Sequence, residues 1–128
     1  MKKIQRILLV EDQEDIQAVA RIALESLGGF TVEICNDGHQ ALEIAPVFHP
    51  DLLLLDVMMP GMDGPATLSA LRELQQTAST PAIFMTAKVQ PSEIEELMQH
   101  GALGVISKPF DPMTLADQIN NLVNQPSQ

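Results

Sequence analysis

Three carboxylates, one hydroxyl and one ammonium stand out in this sequence because each falls at the far end of a short apolar run. Glu11 and Asp12 come directly after "ILLV", Asp56 ends "DLLLLD", Thr86 lies in "AIFMTA" and Lys108 closes "GVISK". A carboxylate beside four leucines is costly unless it is paired, bound to a metal or at the mouth of a cleft. Crowded carboxylates repel one another, and an oxygen-rich acidic cluster suits a hard divalent cation, Mg2+ above all. An ammonium and a hydroxyl facing them suit a phosphoryl group, whose oxygens need charge neutralisation and hydrogen-bond donors. An aspartate can itself attack phosphorus and form an acyl phosphate. These residue types therefore predict phosphoryl transfer onto Asp56, with Mg2+ and Lys108 offsetting the developing charge. Taken singly, each is more often a cap, a solvated loop acid, a strand threonine or a surface lysine. Their recurrence at the same relative place in separate runs is what singles them out.

Such a convergence requires that the apolar runs be strands and the segments between them helices. The runs 7–10, 31–35, 52–57, 82–87 and 104–108 are short and partly rich in Ile and Val, as strands are. After the first, Ile16, Ala20, Ala23, Leu24 and Leu27 share one helical face while Gln17, Arg21 and Glu25 point elsewhere. Gly28-Gly29 supplies the glycine end of that helix. Pro65, Pro91 and Pro112 each stand where a helix can begin, and Asp111 is placed to cap the last one. Strand and helix repeated five times predict an α/β fold, a three-layer, doubly wound (βα)5 domain with a five-stranded parallel sheet. Runs 7–10 and 52–55 are apolar throughout, as central strands must be, whereas Thr31-Val32-Glu33-Ile34 alternates like an edge. That fits the flavodoxin-like order 2-1-3-4-5, in which ligands bind beyond the carboxyl ends of the strands. The polar residues then meet on one rim.

Composition narrows the partners. The chain has 128 residues, 45% hydrophobic and 19% charged, enough for one domain with a substantial core. A single domain over 1–128 is expected, its core at about 6–123, followed by a frayed "QPSQ" tail. Seven basic against seventeen acidic residues, a net charge of −10, argue against nucleic acid or an anionic membrane as partner. No apolar run is long enough to span a bilayer, and "MKKIQRILLVED" does not have the form of a secretory leader. With Cys35 as the single cysteine, a cytoplasmic location is expected. No Gly-rich phosphate loop is present, so no nucleotide is expected. His39, His49 and His100 are not spaced as metal ligands, and Met58, Met59, Met62 and Met85 read as packing residues. Cys35 reads as a small buried hydrophobe, and Glu93, Glu95 and Glu96 as a solvated helix face.

On these motifs the chain resembles a receiver domain of the two-component response regulators, over about 6–123. The resemblance rests on "LLVEDQED" with Glu11-Asp12, "PDLLLLDVMMPGMDG" with Asp56, Pro60 and Gly64, "IFMTA" with Thr86, and "GALGVISKPF" with Lys108-Pro109-Phe110. It implies that Asp56 accepts a phosphoryl group from a phosphohistidine on a histidine kinase or histidine phosphotransfer protein. It implies that Glu11, Asp12 and Asp56 hold Mg2+ together with the backbone carbonyl of Met58. Thr86 would hydrogen-bond a phosphoryl oxygen in the active state, and Lys108 would pair with the phosphoryl group. The Lys108–Pro109 peptide would be cis. The signal would pass to a downstream protein through the face made by the fourth helix, fifth strand and fifth helix, with self-association through that face a further expectation.

Three departures from the family pattern bear on the chemistry. Glu11 stands where many members carry Asp, and Val105 stands where Tyr or Phe often partners the switch threonine. Met58 and Lys88 occupy positions that tune the access of water to the acyl phosphate. A rival reading, an aspartyl-nucleophile phosphatase of the haloacid dehalogenase kind, wants a second acid two residues after the nucleophile, where this chain has Met58. A second rival, a phosphorylation-independent binding module, has no need of Asp56, Thr86 and Lys108 together. The expectation is a phosphoacceptor signalling domain whose only chemistry is on itself.

Overall fold

The computed structural model describes residues 3–125; of the tail expected to fray, residues 126–128 lie outside that range. Strands β1 (Arg6–Val10), β2 (Thr31–Cys35), β3 (Leu52–Asp56), β4 (Ala82–Thr86) and β5 (Gly104–Ser107) pair in parallel in the order β2-β1-β3-β4-β5. Helices α1 (Glu14–Arg21), α2 (Gly38–Phe48), α3 (Gly64–Arg72) and α4 (Pro91–Met98) connect them, and α5 (Leu115–Val123) follows the last strand. This is the doubly wound, flavodoxin-like α/β fold that the sequence predicts.

Strand side chains alternate between the two faces, so one apolar run feeds two cores. Ile7, Leu9, Leu52, Leu54, Ile83 and Met85 point to the side covered by Ala20 and Leu24 of the first helical segment and by Leu115 and Ile119 of α5. Leu8, Val10, Leu53, Leu55 and Phe84 point to the other side, beneath Ala41 and Ala45 of α2, Leu68 and Leu71 of α3 and Leu97 of α4. Leu52 to Leu55 are all fully buried, each stabilising the fold by about 2 kcal/mol relative to an exposed leucine. Strand β2 is the half-exposed edge that the sequence suggests, although its burial does not strictly alternate: Thr31 is exposed, Glu33 and Ile34 are half-buried, and Cys35, on the face of Thr31, is buried with Val32.

Two boundaries differ from the sequence reading. Past Arg21 the chain widens into a π-helical segment, Ile22–Leu27, and the extra residue per turn rotates the expected apolar face away from the sheet. Ala20, Ala23 and Leu24 remain buried, but Leu27 is 52% exposed. Gly29, at φ +75, ends the segment in the left-handed region that glycine occupies without strain. Pro65 and Pro91 sit in the first turns of α3 and α4 as expected, whereas α5 starts at Leu115, three residues beyond Pro112. Asp111 does not cap it; its carboxylate accepts from the Met113 N–H at 2.9 Å, closing a turn that precedes the helix. Asp37 and Asp63 are the side-chain caps, accepting from the N–H groups of Gln40 (2.8 Å) and Ala66 (2.9 Å). No helix among the described residues is long and apolar enough to cross a membrane.

Candidate functional site

Strand register brings the five singled-out residues to one rim. Val10 is level with Leu55, so Glu11 and Asp56, each one step further, emerge side by side on neighbouring strands, about 4.8 Å apart in the pairing direction. Asp56 is level with Met85, which puts Thr86 one step beyond on β4, and Thr86 is level with Ser107, so Lys108 leaves β5 at the same edge. From there the Lys108 ammonium reaches back across the sheet to lie 2.9 Å from Glu11 Oε1 and 3.2 Å from Asp56 Oδ1.

Glu11 is fully buried, which demands that every polar atom it carries be partnered. Its N–H donates to the Cys35 carbonyl at 3.0 Å. Its side-chain oxygens accept from Lys108 and from the Gln13 N–H, the latter at 3.1 Å. Its own carbonyl accepts from Gln17 Nε2 at 2.5 Å. Burial raises the Glu11 carboxyl above its ordinary value; the hydrogen bonds from Lys108 and Gln13 oppose this, and the like charge of Asp56 adds to it. Burial alone would lower Lys108, but the hydrogen bond to Glu11 and the charges of Asp56 and Glu11 outweigh it and raise the ammonium above its ordinary value.

Asp12 completes the cluster. Glu11, Asp12 and Asp56 each offer a carboxylate oxygen within 4.8 Å of the others, and they are the one such group of three potential metal ligands among the described residues. The donor set is all oxygen, as a hard cation prefers. Three carboxylates against one ammonium leave two negative charges, the amount that one divalent ion neutralises. The residues present therefore fit Mg2+.

Thr86 and Met58 stand nearby without joining the cluster. Thr86 is buried, and its hydroxyl accepts from the Lys88 N–H at 3.0 Å, turned toward the loop before α4. Met58, two residues past Asp56, is 61% exposed and walls a hollow with Val57, Pro60 and Asp63. Val105 is half-buried against the core that holds Phe84. Gly64 lets α3 start tight against the end of β3, since a Cβ there would lie 2.6 Å from the Asp56 carbonyl oxygen. The Lys108–Pro109 peptide is cis. Beside it Ile16, Val19, Ala87, Pro109 and Phe110 line an apolar hollow that opens next to Lys108.

Sequence reasoning missed Gln17, Asn36 and Gln40. The Gln17 amide also donates to Asn36 Oδ1 at 2.7 Å, and the Asn36 N–H donates to Gln40 Oε1 at 2.6 Å. Amides on loop-facing helix positions leave no periodic trace, and Gln17 could be read only as lying off the apolar face.

A family model for the response regulator receiver domain matches residues 7–120. The regulatory protein AtoC of Escherichia coli is 35% identical over 129 aligned positions, which cover 100% of this chain and 26% of AtoC. The DNA-binding response regulator MtrA of Mycolicibacterium paratuberculosis is 35% identical over 115 residues, 90% of this chain and 49% of MtrA. The chain thus spans between about a quarter and a half of the length of these relatives. Among solved structures, the chemotaxis protein CheY4 of Vibrio cholerae superposes with a TM-score of 0.86 at 31% identity, covering 94% of this chain and 99% of that one. The signal receiver domain of a histidine kinase from Syntrophus aciditrophicus gives 0.79 at 28%, covering 97% and 96%.

Proposed function

Because this chain belongs to the response regulator receiver domains, we propose that it is a phosphorylation-dependent switch of a two-component pathway with Asp56 as its phosphoacceptor. The observation that carries this reading is the Lys108 ammonium held 2.9 Å from Glu11 and 3.2 Å from Asp56, inside a cluster of three acids on the carboxyl rim of the sheet. Receiver domains bind Mg2+ at an acidic pocket, and Glu11, Asp12 and Asp56 form such a pocket here. These three would hold the ion, with the backbone carbonyl of Met58 as a further donor. Bound there, Mg2+ supplies positive charge that offsets the phosphoryl oxygens.

The remaining work falls to the chain's own groups. The Asp56 carboxylate attacks the phosphorus of a phosphohistidine on a histidine kinase or phosphotransfer protein; the P–N bond breaks and its electron pair returns to the imidazole, which takes up a proton. Lys108, already at the acceptor oxygen, follows the new negative charge. Thr86 gives up the Lys88 N–H and donates to a phosphoryl oxygen, which frees the loop that leads into α4. The signal then leaves through the face of α4, β5 and α5, to a downstream protein or a second copy of the chain, in the cytoplasm. The apolar hollow beside Lys108 offers the donor protein a footing next to the reacting carboxylate. The net charge of −10 counts against nucleic acid as a partner of this domain.

A second reading, binding without phosphorylation, draws support from Val105, an aliphatic residue at the position where the family often has an aromatic partner for the switch threonine. A phosphatase acting on other substrates is disfavoured by Met58 in the place of its second acid. Intact-mass spectrometry after incubation with acetyl phosphate and Mg2+ separates these readings. Gain of one phosphoryl group, absent in Asp56→Asn and without metal, supports the switch; no gain in folded protein leaves the binding module.

A further inference from the structure

The carbonyl of Glu11 has left the sheet. Strand β1 ends at Val10, and beyond it only the Glu11 N–H continues the ladder, to the Cys35 carbonyl. Its C=O is met instead by the Gln17 side chain at 2.5 Å. Gln17 thus takes the place of a missing strand neighbour. Its second amide hydrogen goes to Asn36 Oδ1, and the Asn36 N–H goes to Gln40 Oε1, so the loops after β1 and β2 are tied together through one helix residue.

The peptide held in this way is the one between Glu11 and Asp12, and a peptide is rigid and planar. Fixing its oxygen toward α1 fixes the plane, and the plane sets the direction in which Asp12 leaves the backbone. Asp12 is the least buried of the three acids, and no side-chain hydrogen bond holds its carboxylate among the described residues. Glu11 is pinned by Lys108 and the Gln13 N–H, and Asp56 by Lys108 and its strand. Asp12 has only the backbone to aim it.

We infer that Gln17 is a positioning residue for the cation site: through the Glu11 carbonyl it aims the Asp12 carboxylate at the other two acids. This rests on the reading of the acidic cluster as a Mg2+ site. Partners one shell removed from a metal ligand commonly change metal affinity by 10–100-fold when removed. Gln17→Met keeps the length of the side chain and its helix propensity while deleting the donor, and is expected to weaken Mg2+ binding by about tenfold. Gln17→Glu also deletes the donor but adds a negative charge, which by itself would strengthen binding; it too is expected to bind Mg2+ more weakly than wild type.

The test is isothermal titration of each protein with Mg2+, beside melting temperatures in EDTA and the extent of labelling by acetyl phosphate. The inference stands if both variants bind Mg2+ about tenfold more weakly while melting within a few degrees of wild type in EDTA. It is overturned if Gln17→Met binds as wild type does, or if Gln17→Glu binds more tightly, since affinity then follows charge alone. It is also overturned if both variants lose melting temperature in EDTA in proportion to affinity, because Gln17 is then only a structural tie. A wild-type protein that binds no Mg2+ and takes no phosphoryl group fails at the earlier step, and the inference falls with the reading it rests on.

Discussion

Replacing Lys108 by methionine keeps an apolar stem of similar length and deletes the one cation among the acids. Glu11 then faces Asp56 with oxygens within 4.8 Å, where two unit charges repel by roughly 3.5 kcal/mol at an effective dielectric constant of about 20. Glu11 has an escape, since it can take up a proton. For a carboxyl of ordinary value 4.5 that costs at most about 3.4 kcal/mol at pH 7. The two routes agree, so Lys108→Met is expected to lose about 3 kcal/mol in EDTA at pH 7, as buried pairs do when one partner goes. In a domain of this size that lowers Tm by roughly 10 °C. Two signatures distinguish lost charge from lost packing. At pH 5 the proton costs only about 0.7 kcal/mol, so the deficit should nearly close. At pH 7, millimolar Mg2+ should restore much of it, because the ion replaces the ammonium and binds only the folded chain. Calorimetric scans of both proteins at the two pH values, with EDTA or Mg2+, read all of this. A deficit equal at pH 5 and pH 7 and indifferent to Mg2+ would refute the electrostatic account and leave only the lysine stem.

The folded value of Lys108 lies above its ordinary 10.5, so the stability it contributes is complete below pH 10.5 and is lost as pH rises through the folded value; urea midpoints from pH 9 to 12 should fall more steeply for wild type than for Lys108→Met. Cys35 shares that sign in both proteins, its thiol being pushed up to about 12 by burial and then by the charges of Glu33 and Asp37. Iodoacetamide at pH 8 should therefore leave Cys35 intact in native protein and alkylate it in urea, and rapid native labelling would contradict its burial. Gly64→Ala would set a Cβ 2.6 Å from the Asp56 carbonyl oxygen and 2.9 Å from the Val57 Cα, both backbone. A loss of roughly 2 kcal/mol is expected, with slower acetyl phosphate labelling than stability alone explains; a variant as stable and as quickly labelled as wild type would mean that α3 is free to move off the strand.

What could be read from the sequence was whatever a period or a strand end records. Continuous burial of 52–55 and the alternation at 31–34 set the central and edge strands, and from strand order alone the polar residues after each run had to share a rim. The proximity of Lys108 to Glu11 and Asp56 follows from that logic. Leu27 did not, because periodicity assumes 3.6 residues per turn and the π-helical segment breaks it. The start of α5 was misplaced because Pro112 suits the first residue of a turn as well as that of a helix. Gln17 and the orientation of the Thr86 hydroxyl toward Lys88 are rotamer choices, decided by neighbours that only tertiary structure supplies.

The reach of Lys108 back to Glu11 spans 97 positions of the chain, and its reach to Asp56 spans 52. During synthesis the segments that carry the acids emerge first. As β1 pairs with β3, Glu11 and Asp56 are brought side by side with no cation of the chain's own between them. Within the folded chain their repulsion is offset by the ammonium that leaves β5. Non-local contacts of this kind are the slow ones to form. The rim is thus balanced by a cation drawn from late in the chain, so the repulsion between two early strands is settled by a late one.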